Sequence, residues 1–255
     1  MRSIWDFVIP SSLDIRHSSL IILSENNKPE KVRLRFTLGQ MDQTLFHLIN
    51  ERWTNPALDL FMAAVSDADV WKPVLIIIIF AALVFGGFRA RACIFCLLIA
   101  IVIAEPITNT LKSAINRKRP KHVDSVRMVR LEKGRPEFMS IFKKPVVRRS
   151  DESDRRRGDP SFPSGHMTNN TIAAICLTLF YRRGWLYWIF AALVGYSRIY
   201  LGAHWPSDVI GTIFLAAAEA FFILAALELI WRWAARRWAP GIFSRHPGLV
   251  INPAE

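Results

Sequence analysis

Residues 90–120 read ARACIFCLLIAIVIAEPITNTLKSAINRKRP. The opening part, Ala90–Thr108, is an apolar run close to the ~20 residues that a helix needs to cross a bilayer. The rest is a cationic cluster closed by Pro120, which ends the helix. Four further apolar runs flank it: Trp71–Phe88 before, and Met167–Tyr181, Trp185–Ser197 and Pro206–Trp233 after. Trp71, Trp185, Trp188, Trp231 and Trp233 near the run ends fit the aromatic belts of a membrane interface. The polar Thr168, Asn169, Asn170 and Thr171 of the third run predict that it faces other helices and not lipid. The fold expected is therefore all-α, a polytopic transmembrane helical bundle of five spans, six if residues 41–70 also cross. A soluble bundle of very apolar helices is the alternative.

The 255 residues are 52% apolar and 21% charged, nearly ordinary as a mean but strongly segregated along the chain. That segregation excludes a disordered or repeat protein. Cys93, Cys96 and Cys176 all sit inside apolar runs, as small buried hydrophobes would, and no His or Cys pair beside them suggests zinc. The chain divides into four segments: residues 1–40, of no assigned role; 41–70; a membrane core over 71–235 containing a basic loop, 112–162; and a tail, 236–255. The patch Leu20–Leu23 is too short for a cleavable signal. Residues 41–70 predict two amphipathic interfacial or re-entrant helices broken at Asn55-Pro56, one with Leu45, Phe46, Leu48 and Ile49 on a face, the other with Leu58, Leu60, Phe61 and Ala64. Short connections carrying Arg89 and Arg91, Arg182 and Arg183, and Arg232, Arg236 and Arg237 fall on one side, which the positive-inside rule makes cytoplasmic. The loop 112–162, with 16 Lys/Arg against 7 Asp/Glu, falls on the other side.

Three polar clusters share that second side. In the first, Lys112 and Arg119 are seven residues apart, which on a continuous helix puts both cations on one face. Two such cations suit a phosphate, and the cluster taken alone suits equally a juxtamembrane basic patch whose side chains snorkel to lipid headgroups. In the second, Pro163-Ser164-Gly165-His166 opens the third span. There Ser164 can cap the helix, Gly165 admits close approach, free N–H groups offer an anion site, and His166 can donate a proton. The third is Ser197-Arg198-x5-His204-x3-Asp208, where the Asp208 carboxylate can hold one imidazole nitrogen of His204 and leave the other free to attack. Pro206 suits the first turn of the last helix. Asp208 is the one carboxylate in these clusters, so no metal cage is expected. The chemistry is metal-free phosphoryl transfer: cations and helix N–H groups neutralise the phosphoryl oxygens, one histidine attacks phosphorus and another protonates the leaving group.

Lys112-x6-Arg119-Pro120, Pro163-Ser164-Gly165-His166 and Ser197-Arg198-x5-His204-x3-Asp208, in this order and spacing, resemble the three-part signature of the type 2 phosphatidic acid phosphatase superfamily, membrane lipid phosphatases related to vanadium haloperoxidases. The resemblance covers roughly residues 40–235. It implies that His204 forms a phosphohistidine and that Asp208 orients it. It also implies that His166 is the general acid and then the base for water, and that Lys112, Arg119, Ser164, Gly165 and Arg198 bind phosphate. No cofactor and no metal are expected. The family's usual bundle has six spans, one more than the five counted here.

The sequence thus predicts an integral-membrane phosphatase of a bacterial cytoplasmic (inner) membrane, multi-pass, with its site on the periplasmic face. Its partners are the bilayer and a membrane lipid phosphate, with undecaprenyl diphosphate the first expectation. A lipid A phosphate, phosphatidylglycerophosphate and phosphatidate are the alternatives. Vanadate haloperoxidation is disfavoured by the apolar spans, and a non-catalytic lipid-binding or transport protein by the intact signature. The net charge of +12 raises nucleic acid as a partner, but apolar spans between the basic clusters argue against it.

Overall fold

A computed structural model describes residues 39–155 and 158–250, so the expectations for residues 1–38, for Arg156–Arg157 and for the end of the tail, 251–255, lie outside the described residues. The chain divides after Gln40, and the elements below belong to the unit Met41–Glu255.

Helix α1, residues 41–47, runs on as a π-helical turn, Leu48–Arg52. Asn50 is buried there, donating to the carbonyls of Tyr200 (2.7 Å) and Arg127 (2.9 Å), and so fixes this segment to two distant ones. The expected break appears at Asn55-Pro56: Asn55 caps α2, Pro56–Ser66, by accepting from Leu58 N–H at 2.9 Å, and Pro56 is the first helical residue. The buried face matches the expected one only in part: Phe46 and Ala64 are buried. Leu45 and Phe61 are exposed, while Asp59, Met62, Ala63 and Ser66 turn inward. A carboxylate decides this, because Asp59 accepts from Arg127 (2.6 Å) and from the Tyr200 hydroxyl (2.7 Å).

Five apolar helices form where five apolar runs predict them: α3 (Ala68–Val84), α4 (Phe88–Ile115), α7 (Gly165–Phe180), α8 (Tyr187–Tyr200) and α9 (Pro206–Trp238). Among the described residues only two stretches, Phe88–Val123 and Pro206–Trp238, are long and apolar enough to cross a membrane. The other three expected spans, α3, α7 and α8, are helices of 17, 16 and 14 residues, below that length. At 1.5 Å per residue α3, α7 and α8 reach only ~21–26 Å. Their runs are cut short by local stops: the Asp67 cap, the turn after Val84, and the 3₁₀ turn Gly184–Leu186. The two shortest helices do take in motif residues, Gly165 and His166 on α7 and Arg198 on α8.

The all-α expectation fails in the basic loop. Between the short helices α5 (Pro120–Val123) and α6 (Glu152–Arg155) lies an antiparallel hairpin. It pairs β1, Arg127–Leu131, with β2, Pro145–Arg149, in the register Arg127↔Arg149 and Val129↔Val147. Met128, Val129 and Leu131 of β1 and Val146 and Val147 of β2 carry the strand propensity, which the charge density of the loop hides. A 3₁₀ turn, Glu137–Phe142, links the strands.

Helix α7 packs against α4, α8 and α9. Small residues line these contacts: Ala100 and Ala104 of α4, Ala174 of α7, and Ala216 and Ala220 of α9 are buried. Such residues let apolar helices approach closely. Cys93, Cys96 and Cys176 are free and buried in this core, as the sequence implies. Thr168 and Thr171 are buried and Asn170 accepts from the Tyr187 hydroxyl at 2.9 Å, while Asn169 is exposed. The tail folds back as α10, Pro240–Phe243, and on to Val250. His246 stacks on Phe88 (centroids 3.9 Å apart), and Glu228 accepts from the N–H groups of Leu249 and Val250.

Candidate active site

A continuous α4 would carry both first-cluster cations on one face. The helix stops sooner. Asn116 caps it in the left-handed region (φ 47°), a conformation asparagine tolerates, so Lys112 stays on the helix while Arg119 caps α5. The turned chain is then tied to two other helix starts: Ser161 N–H donates to the Arg117 carbonyl (2.7 Å), and the Trp205 indole donates to the Lys118 carbonyl (2.9 Å). The starts of α7 and α9 and the ends of α4 and α8 therefore meet at one end of the bundle.

Lys112 reaches the start of α7, where a Cβ on Gly165 would lie 3.7 Å from its Nζ. Arg119 lines a cavity of about 550 Å³ together with His166 and Arg198, and its Nη1 donates to the Ala203 carbonyl at 3.3 Å. His166 is exposed to that cavity. Arg198 donates to the Ser66 hydroxyl at 2.6 Å through Nη1. Gly202 takes φ 74°, and a Cβ there would meet the Arg127 carbonyl at 2.5 Å, so glycine is required at the turn that delivers His204. His204 is buried at 2% exposure. Burial, followed by the fields of Arg198 and Arg119, holds its imidazole well below the usual histidine range.

Among the described residues, Ser164 Oγ, Arg198 Nε and His204 Nδ1 are buried at this end without a hydrogen-bond partner. Ser164 occupies the cap position of α7, yet its hydroxyl makes no cap bond, contrary to the simplest expectation; its N–H donates to Thr212. An unpaired buried polar group costs free energy that a ligand with several acceptors would offset. A tetrahedral oxyanion is such a ligand.

The second departure concerns Asp208, which is fully buried with its Oδ2 4.0 Å from His204 Nδ1, beyond hydrogen-bond distance. Its oxygens are taken by other donors. Oδ2 accepts from the Ser161 hydroxyl and from Trp205 N–H (3.0 Å), and Oδ1 accepts from Arg117 Nη1 (2.6 Å). Arg117 also donates to Asp42 (2.7 Å) and Ser207 (2.8 Å). Sequence reasoning missed Arg117, Asp42 and Ser161, and it missed Asp159. The Asp159 carboxylate lies 3.1 Å from both Arg119 and Lys121 and 3.3 Å from His122. Burial pushes that carboxyl up, but Arg119, Lys121 and His122 outweigh it and leave the group below its usual range. Arg117 carried the only readable signal, lying two residues before Arg119 inside the first cluster.

A family profile described as the PAP2 superfamily matches residues 92–237. A lipid A 4'-phosphatase from Porphyromonas gingivalis is 26% identical over 218 residues, covering 83% of this chain and 81% of that protein. An undecaprenyl-diphosphatase from Sulfolobus acidocaldarius is 30% identical, covering 69% and 74%. Among solved structures, LpxE from Aquifex aeolicus matches with a TM-score of 0.52 at 22% identity, covering 72% of this chain and 95% of its own, a likeness of fold.

Proposed function

Because this chain belongs to the PAP2 superfamily, we propose that it is a membrane phosphatase that hydrolyses a lipid phosphate through a phosphohistidine on His204. The observation that carries the proposal is the convergence of unpartnered buried groups, Ser164 Oγ, Arg198 Nε and His204 Nδ1, at the start of α7. With Lys112, Gly165 and Arg119 beside them, Ser164 Oγ and Arg198 Nε form a cradle for three phosphoryl oxygens, while His204 Nδ1 lies on the Asp208 side.

In the first step a lone pair of neutral His204 attacks phosphorus, and the bond to the leaving oxygen breaks. That oxygen takes a proton from His166, on the open side of the site. In the second step water attacks the phosphohistidine, its proton passes to His166, the P–N bond breaks and orthophosphate leaves. Asp208 faces the Nδ1 edge of His204 and favours the imidazolium-like charge that develops there, which makes Nε2 the attacking nitrogen. The low proton affinity of His204 supports this role, since the lone pair is free at neutral pH.

The substrate proposed first is a polyprenyl diphosphate, undecaprenyl diphosphate in particular. The second reading, a phosphate of lipid A, is favoured by the relative from P. gingivalis, whose likeness extends over more of the chain. The proposed setting is a bacterial cytoplasmic membrane with the site on the periplasmic face. The test is phosphate release by detergent-purified protein, with EDTA present, from undecaprenyl diphosphate, lipid A, phosphatidylglycerophosphate and phosphatidate, with His204→Ala as blank. Release from one lipid that the blank lacks is expected. Release from none, or only with added Mg²⁺, would overturn the scheme.

A further inference from the structure

The cavity is larger than the transferred phosphoryl group needs. At about 550 Å³ it is in the range that takes a drug-sized ligand, so it has room for a headgroup. Its inner end holds Arg119, His166 and Arg198. Its outer wall is β1 of the hairpin and the turn after it, opposite the junction of α2 and α3, where Asp67 and Asp69 lie. Two cations of that outer wall, Arg130 and Lys133, make no ion pair among the described residues, although Lys133 lies in the field of Asp69, whereas the other charges outside the inner end are engaged. Lys121 and Arg119 pair with Asp159, Asp69 pairs with Lys72, and Asp67 accepts from an N–H group at the start of α3. Arg130 lies within electrostatic reach of Arg198, so it belongs to the same field as the inner cations. It is also fixed in place by strand pairing, with Val146 opposite.

Two unpaired cations on a cavity wall focus potential into it and attract an anion, arginine as a fork and lysine as a point charge. We infer that Arg130 and Lys133 form a second anion subsite that binds a further phosphate of the substrate, beyond the one transferred. The inference rests on the phosphatase reading and narrows its substrate class to lipids bearing two phosphates. The second phosphate is either the neighbour in a diphosphate or a phosphate elsewhere on a sugar or glycerol headgroup.

The test uses full-length protein in detergent and calorimetric binding of three soluble probes: orthophosphate, pyrophosphate and glucose 1,6-bisphosphate. The wild type is expected to bind at least one two-phosphate probe about tenfold more tightly than orthophosphate, equivalent to about 1.4 kcal/mol. Which probe gains distinguishes the two sources. The double variant Arg130→Gln, Lys133→Gln should lose that preference, whereas Arg135→Gln, Lys144→Gln, which removes the same charge from the same hairpin away from the cavity lining, should keep it. Equal affinity for all three probes, or a preference that survives the first variant, or one that both variants lose alike, would overturn the subsite. Because binding needs no turnover, a wild type that hydrolyses no lipid would sink the phosphatase reading while leaving the subsite to be decided by the probes.

Discussion

At the scale of single residues, Asp208 departs most from the simplest reading. Spacing alone suggests a carboxylate bonded to His204. Instead Asp208 is held by Arg117, Ser161 and the Trp205 N–H, and it stands 4.0 Å from the imidazole. The pair was legible because four residues separate its members on the chain. The supports were not, because they come from two other segments that only the fold assembles. In the proposed mechanism Arg117 positions Asp208. Arg117→Ala should lower kcat about 10–100-fold, or about 1.4–2.7 kcal/mol of barrier, with KM changed less than about threefold, and Arg117→Lys should restore part of it. An equal loss in KM would mean that Arg117 binds substrate instead. The second residue-scale prediction concerns pH. In the proposed mechanism His204 attacks only when neutral, which means above its pKa, and that pKa is held well below 6.5. The acid limb of kcat/KM should therefore fall below pH 6.5, and an acid limb above that value that follows His204 would contradict the environment described.

At the scale of elements, the apolar runs were readable because membrane-length hydrophobicity is a strong signal, and helices formed at all five. Their ends were set by features that hydropathy does not register: the left-handed cap at Asn116, the carboxylate cap at Asp67, and the glycine turn before His204. The hairpin escaped notice for a different reason. Its strands span five residues each, and their valines are outnumbered by the charges of the surrounding loop. Close helix packing is what aligns the second and third polar clusters. At Gly195 of α8 an added Cβ would lie 2.8 Å from Val209 Cγ1 and 3.1 Å from Met167 Sδ. Those two residues follow Asp208 and His166 directly in the chain. Gly195→Ala should cost about 1–3 kcal/mol through overpacking, lower the melting temperature in detergent by several degrees, and reduce kcat as well. An unchanged melting curve would show that α8 has more slack than this contact implies.

At the scale of the whole molecule, two surfaces divide the work. One is an apolar girdle, with Ile76, Ile77 and Phe80 of α3, Val102 of α4, and Phe214, Phe222 and Leu229 of α9 all exposed, as suits contact with lipid tails. The other is the polar end, where the three sequence clusters meet under a basic hairpin. Segregation of charge along the sequence made both surfaces legible, and it made their juxtaposition at one end of the bundle an expectation from topology. The shape of the cavity was not legible, because its outer wall is the hairpin and its far wall is the junction of α2 and α3. Both surfaces serve one proposed event, the movement of a phosphoryl group onto His204, and that event can be observed directly. Full-length protein in vesicles containing undecaprenyl diphosphate or lipid A, quenched within the first turnover and digested under mildly alkaline conditions, should yield an acid-labile phosphate on the peptide that contains His204. His204→Ala should yield none. Phosphate on any other side chain, or full turnover with no covalent species in wild type and variant alike, would contradict a phosphohistidine mechanism.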